Sequence, residues 1–147
     1  MQSLEASAPQ LGVNLLPVDF AAVGDLDGAF AQMEESRAQA VLVVAGALAF
    51  VHHARIAELA LAHRLPSCSG NRESVQAGGL ISLGPDLAVI ARQGADYVDK
   101  IIHGRKAADL PVQQPERYEI YLNLKTARAL NLNIPASLLA RADGVVE

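Results

Sequence analysis

Apolar residues along the chain fall into alternating short runs and helical stripes. Residues 13–18, with Val13, Leu15, Leu16 and Val18, read as a first strand after a short helical or frayed N-terminal stretch. Gly24-Asp25 marks a helix start with Asp25 as N-cap. Leu26, Phe30 and Met33 repeat at i, i+4 and i+7 and predict a helix to about Arg37 with an Ala-rich inner face. Residues 40–45 are apolar throughout, as a parallel strand covered on both faces should be. A second helix follows over 48–63 with Ile56, Leu59 and Ala60 facing inward. Residues 65–68 read as a short third strand and 71–77 as a turn of helix, and Gly78-Gly79 precedes a strand over 80–83.

Gly84-Pro85-Asp86 is expected to stop that strand and open the longest helix, 87–103. Leu87, Ile90, Ala91, Gly94, Val98 and Ile101 share one face of it, and Gly104 ends it. Residues 105–115 are polar, carry two prolines and predict an extended connection. Tyr118, Ile120 and Leu122 alternate with Glu119 and Tyr121, the period of a half-buried or edge strand. Asn123 is placed to cap a short helix over 125–130, and Ile134-Pro135 introduces a last one. The alternation of strands and helices predicts an α/β fold, a parallel sheet layered between helices.

Composition narrows the function classes. The 147 residues suit one compact unit or one lobe of a larger protein, and 51% are hydrophobic, enough for a core. Aromatics make up 4%, with no Trp, so stacking platforms for bases or flat ligands are scarce. The net charge is −4 and the basic residues are scattered, which disfavours nucleic acid as a partner. The N-terminus lacks a basic n-region and an apolar h-region. The expectation is therefore a cytosolic chain, or one separated from its beginning.

In an open α/β sheet, ligands bind beyond the carboxyl ends of the strands. That rule selects three stretches: Ala45-Gly46-Ala47-Leu48, Ser69-Gly70-Asn71-Arg72-Glu73 and Ser82-Leu83-Gly84-Pro85-Asp86. Free N–H groups at helix starts there can hold a carboxylate, and Arg72 can pair one bidentately. Glu73 or Asp86 can take an ammonium group, so a zwitterion or similar small polar ligand fits. The plainer alternatives are that Asp86 is a helix N-cap, worth about 0.5–2 kcal/mol, that Arg72 and Glu73 are solvated turn residues, and that Gly84-Pro85 is a turn. Catalytic signatures are missing: no nucleophile elbow, phosphate loop or dinucleotide fingerprint occurs. His52, His53 and His63 read as surface helix residues, and Cys68 as a small buried filler.

Several stretches carry a family resemblance. They are Ile56-Ala57-Glu58-Leu59-Ala60, His63-Arg64-Leu65-Pro66, the run from Ala77-Gly78-Gly79 to Pro85-Asp86-Leu87, and Tyr97-Val98-Asp99-Lys100-Ile101-Ile102-His103-Gly104. With Ala108-Asp109-Leu110-Pro111 and Ile134-Pro135-Ala136-Ser137, they resemble the ABC-transporter substrate-binding proteins related to the tryptophan/tyrosine-type uptake family. The resemblance covers nearly the whole chain and is most specific after Ala77. It implies one lobe of a type I periplasmic-binding-protein-like fold, with the ligand trapped between two lobes. Residues 1–84 would be the second, ligand-binding lobe. Residues 85–112 would be a hinge and a helix packing on a first lobe absent from this chain, and 113–147 a returning strand and C-terminal helices.

The resemblance implies a solute-binding component without catalysis or cofactor, a small amino-acid-like or carboxylate ligand, an ABC permease partner and a periplasmic location. The expected ligand-binding residues are Ala45, Gly46, Leu48, Gly70, Asn71, Arg72, Glu73, Ser82, Gly84 and Asp86. The first turn departs from the family, which commonly carries polar side chains there. The enzyme-class alternative is a small flavodoxin-like protein using the same turns for a nucleotide or flavin; a purely structural or sensory domain is the other. Leaving the apolar face of helix 87–103 in water is costly, so a homodimer through that helix is expected.

Overall fold

The computed structural model describes residues 2–115 and 117–147, without the side chains of Gln2 and Ser3. In chain order the elements are α1 (Gln2–Ser7), α2 (Leu26–Glu35), β1 (Val41–Leu42), α3 (Ala47–Val51), α4 (His53–Ala62), β2 (Ser67–Ser69), α5 (Arg72–Gln76), β3 (Ile81–Pro85), α6 (Leu87–Ile102), β4 (Tyr118–Asn123), α7 (Leu124–Ala129), α8 (Ala136–Leu139) and β5 (Gly144–Val146). The strands form one five-stranded sheet in the order β1-β2-β3-β4-β5. All neighbours are parallel except β3 and β4, which are antiparallel. The α/β fold expected from the alternation is present. The sheet is mixed rather than purely parallel, because the chain returns through 105–115 before entering β4.

Helices α2 and α4 supply the main core, where Leu26, Phe30, Ile56, Leu59, Ala60 and Leu65 pack together. All but Leu65, which the sequence places in a strand, are positions that the helical spacing turned inward. α5 packs on β3 and β4, burying Val75 beneath it. The cap residues behave unequally. Asp86 accepts from the Ala88 and Val89 N–H groups at 2.8 and 3.4 Å and starts α6 as expected. Asn123 accepts from Thr126 N–H at 2.9 Å and starts α7. Asp25 does not cap α2; its carboxylate turns back to the Ala21 and Ala22 N–H groups at 3.0 and 2.8 Å. Gly104, at φ +92°, ends α6 with the Arg105 N–H donating to the Lys100 carbonyl.

Several expectations are corrected. Residues 13–18 form no strand, and Val13, Leu15 and Leu16 are exposed. Hydrophobic alternation does not make a strand without a ladder, and these residues pair with none of the described strands. The run 40–45 contributes only Val41–Leu42 to the sheet. It is not covered on both faces, since β1 is the outermost strand and Leu42 and Val44 are half exposed. The single helix over 48–63 is two helices, parted where His52 leaves helical geometry at φ −103° and ψ 19°. The strand over 65–68 is shifted to Ser67–Ser69. Gly84-Pro85 does not stop β3 but belongs to it, paired with Glu119 and Tyr118. β4 is an interior strand, and β5 has no counterpart in the sequence reading. His63 is not a plain surface residue: its Nδ1 lies 2.6 Å from Glu34 Oε2, and its ring packs near Phe30.

α6 has no buried residue along its 16-residue length. Its apolar face, including Leu87, Ile90, Val98 and Ile101, stays exposed rather than folding back on the sheet.

Candidate functional site

The parallel pair β2 and β3 brings two of the chosen turns side by side. Beyond β2 the chain passes through Gly70 and Asn71 into α5, which presents Arg72 and Glu73. The approach depends on Gly84: a β-carbon there would stand 1.8 Å from the Gly70 carbonyl oxygen, backbone against backbone. The antiparallel register then sets β4 along β3, with Tyr121 opposite Ser82 and Glu119 opposite Gly84. Together these elements line a depression open to solvent. Arg72 and Glu73 line it from α5, Ser82, Gly84 and Pro85 from β3, Glu119 and Tyr121 from β4, and Leu87 from the start of α6.

The charges are close but not fully spent on one another. Arg72 Nε lies 3.8 Å from Glu73 Oε1 and its Nη1 lies 3.9 Å from Glu119 Oε2, beyond hydrogen-bond length. The Tyr121 hydroxyl, first, and the Asp86 carboxylate, second, hold Arg72 above its usual value, so it is cationic throughout. Glu73 Oε2 and Asn71 Nδ2 are buried atoms without a hydrogen-bond partner. A buried carboxylate oxygen left unpaired is costly and is usually answered by a ligand or water. Asp86 is occupied: the Ala88 N–H, then that of Val89, lowers its carboxyl below the usual range, helped by Arg72 and Arg92. It is a helix cap before it is anything else.

Of the residues singled out from the sequence, Arg72, Glu73, Ser82 and Gly84 converge on this depression. Gly70 and Asn71 form the turn behind it. Ala45, Gly46 and Leu48 do not line it; Ala45 lies beside Gly70, its Cβ 3.8 Å from where a Gly70 β-carbon would be. Leu87, Glu119 and Tyr121 were missed, and Pro85 lay in a chosen stretch but not among the expected ligand-binding residues. Glu119 and Tyr121 share one face of the alternating strand, a visible signal, but only the pairing with β3 shows that this face meets Arg72. Cys68 lies partly buried in β2, and that burial raises its thiol pKa, the mark of an inert cysteine. Among the described residues, no group of three His, Cys, Asp or Glu side chains is placed to hold a metal ion.

Known structures share this fold. A solved structure of a conserved domain protein from Vibrio cholerae superposes with a TM-score of 0.91 at 26% identity, over 99% of this chain and 49% of that one. An ABC domain in complex with L-Trp from Streptococcus pneumonia gives 0.88 at 21% identity, over 99% and 51%. The open, ligand-free CD0873, a substrate binding protein with adhesive properties from Clostridium difficile, gives 0.68 at 16%, over 99% and 48%. The chain thus spans about half the length of the solved structures it matches. Comparison with curated protein sequences returns no match. The family model described as ABC transporter substrate binding protein matches residues 1–146. With that match running through both strand-end turns and the returning strand, the chain belongs to the ABC transporter substrate-binding protein family.

Proposed function

We propose that the chain is the second lobe of the solute-binding component of an ABC importer and grips a small amino-acid-like or carboxylate ligand without chemistry of its own. The observation that carries this reading is Glu73 Oε2, buried and unpartnered beside the cationic Arg72 in the depression. A ligand carboxylate would sit on Arg72, whose hydrogen bonds are unspent toward Glu73 and Glu119. A ligand ammonium group would complete Glu73. Asp86 caps α6 and is not among the residues that line the depression. The L-Trp bound by the Streptococcus neighbour is a ligand of this class.

Residues 85–112 then act as hinge and inter-lobe helix, and 113–147 return to the second lobe. The apolar face of α6 would lie against the other lobe in a two-lobed protein of the length of the matched structures. In the 147-residue chain by itself the same face is expected to pair with a second copy. Sedimentation of the wild type beside an Ile90→Asp, Ile101→Asp variant tests this, and a monomeric wild type removes the dimer. A permease partner and a periplasmic location accompany the importer role. No helix of the described residues is long and apolar enough to cross a membrane.

The test is an NMR titration with L-tryptophan and with glycine. Shifts are expected at Gly70–Glu73, Ser82–Asp86, Glu119 and Tyr121. The affinity should be about millimolar with one lobe, each tenfold loss corresponding to about 1.4 kcal/mol. Shifts confined to residues away from these turns would remove the assignment.

A further inference from the structure

The charges that line the depression do not balance. Arg72 is the cation among its lining residues, and Glu73 and Glu119 are both carboxylates. The Arg72 guanidinium lies 3.8 Å from Glu73 Oε1 and 3.9 Å from Glu119 Oε2, so it answers two anions and is hydrogen-bonded to neither. Glu119 is the less exposed of the two, with 17% of its side chain open, and among the described residues Arg72 is its ion-pair partner. The charges nearby do not restore the balance. Arg117 is bonded to Asp143, and Asp86 and Arg92 offset each other near the first turns of α6. A carboxylate taken out of water needs an opposite charge or hydrogen-bond donors, and Glu119 shares its cation with Glu73. A zwitterion brings one charge of each sign and leaves that excess as it was.

Resting on the reading of this depression as the ligand site, we infer that it selects a ligand of net positive charge, an amino acid with a second cationic group, and that Glu119 sets the preference. The ligand carboxylate sits on Arg72, its α-ammonium group on Glu73, and the added cation on Glu119. At the edge of solvent, an opposite charge a few ångströms away is worth about tenfold in affinity or more.

The test is an NMR titration of the intact chain, read at Arg72, Ser82, Glu119 and Tyr121, with three probes. They are L-lysine, L-norleucine, which has the same carbon chain without the side-chain ammonium, and cadaverine, which is lysine without its carboxylate. L-lysine is expected to bind about tenfold tighter than L-norleucine at low salt, and the ratio should shrink as salt rises. Glu119→Gln keeps the shape and removes the charge, and should bring the ratio to about one. If Glu119 were merely structural, the variant would melt earlier and keep the wild-type ratio, which overturns its role. If the variant fails to fold, the wild-type comparison decides alone. L-norleucine binding at these residues as tightly as L-lysine overturns the inference and leaves the amino-acid reading intact. Cadaverine shifting them while neither amino acid does keeps the charge preference and removes the amino-acid reading. No shift there with any of the three removes both.

Discussion

Replacing Asn123 with Ala should loosen the joint between the two elements that face each other across the depression. Asn123 sits at the end of β4, the strand that carries Glu119 and Tyr121, and is 4% exposed. Its Nδ2 donates to the Val75 carbonyl of α5 at 3.0 Å, and its Oδ1 accepts from the Thr126 N–H at 2.9 Å. The second bond is the α7 cap, and its loss leaves the N–H of a buried residue unpaired, about 0.5–2 kcal/mol. The first costs only the ordinary net value of about 0.5–1.5 kcal/mol, because the Val75 carbonyl keeps the Gly78 N–H at 3.1 Å. Asn123→Ala should therefore lower stability by about 1–3.5 kcal/mol. Asn123→Ser restores the cap but is too short to reach Val75, and should recover the larger share. Urea unfolding followed by far-UV circular dichroism measures both, provided the slope m is unchanged. An alanine variant indistinguishable from wild type would refute the joint, and a serine variant no better than alanine would refute the cap.

Gly84→Ala must push the Gly70 carbonyl from 1.8 Å to contact distance, so it should cost about 1–3 kcal/mol as overpacking does and weaken L-tryptophan binding. Gly94→Ala, with nothing within 4 Å, should be neutral or stabilising by up to about 1 kcal/mol in α6; equal melting shifts for the two would refute the contact argument. The Ile120 N–H, at 2.9 Å, and Arg117 hold Asp143 below its usual value. A depressed folded pKa stabilises above the unfolded value of about 4 and is lost as pH falls through the folded one. Acid unfolding should therefore steepen below about pH 4 and be blunted in Asp143→Asn, and an identical acid limb would count against the bond. Burial raises the Cys68 thiol, so it should react with a disulfide reagent at pH 8 more slowly than free cysteine; a rate at or above free cysteine would refute that.

The features legible in the sequence are those that close within a few residues. Leu26, Phe30, Ile56 and Leu59 announced their inward faces because helical period alone decides them. Asp86, Asn123 and Gly104 announced their caps because each bond partner lies within one turn. The α/β class and the turn carrying Arg72 and Glu73 followed from the same local logic. Pairing lies beyond it. Residues 13–18 have a strand's composition but no ladder among the described residues, so their apolar side chains stay in water. Gly84-Pro85 looks like a stop and is a strand end because Glu119 and Tyr118 come back to meet it. The antiparallel register of β4, set by a return through residues 105–115, chooses Glu119 and Tyr121 as neighbours of Arg72. Gly144 matters only because Tyr121 lies over it. Hydrogen-bond register between distant segments is a property of the assembled sheet. One residue's shift turns every side chain to the other face, so no local pattern can state it.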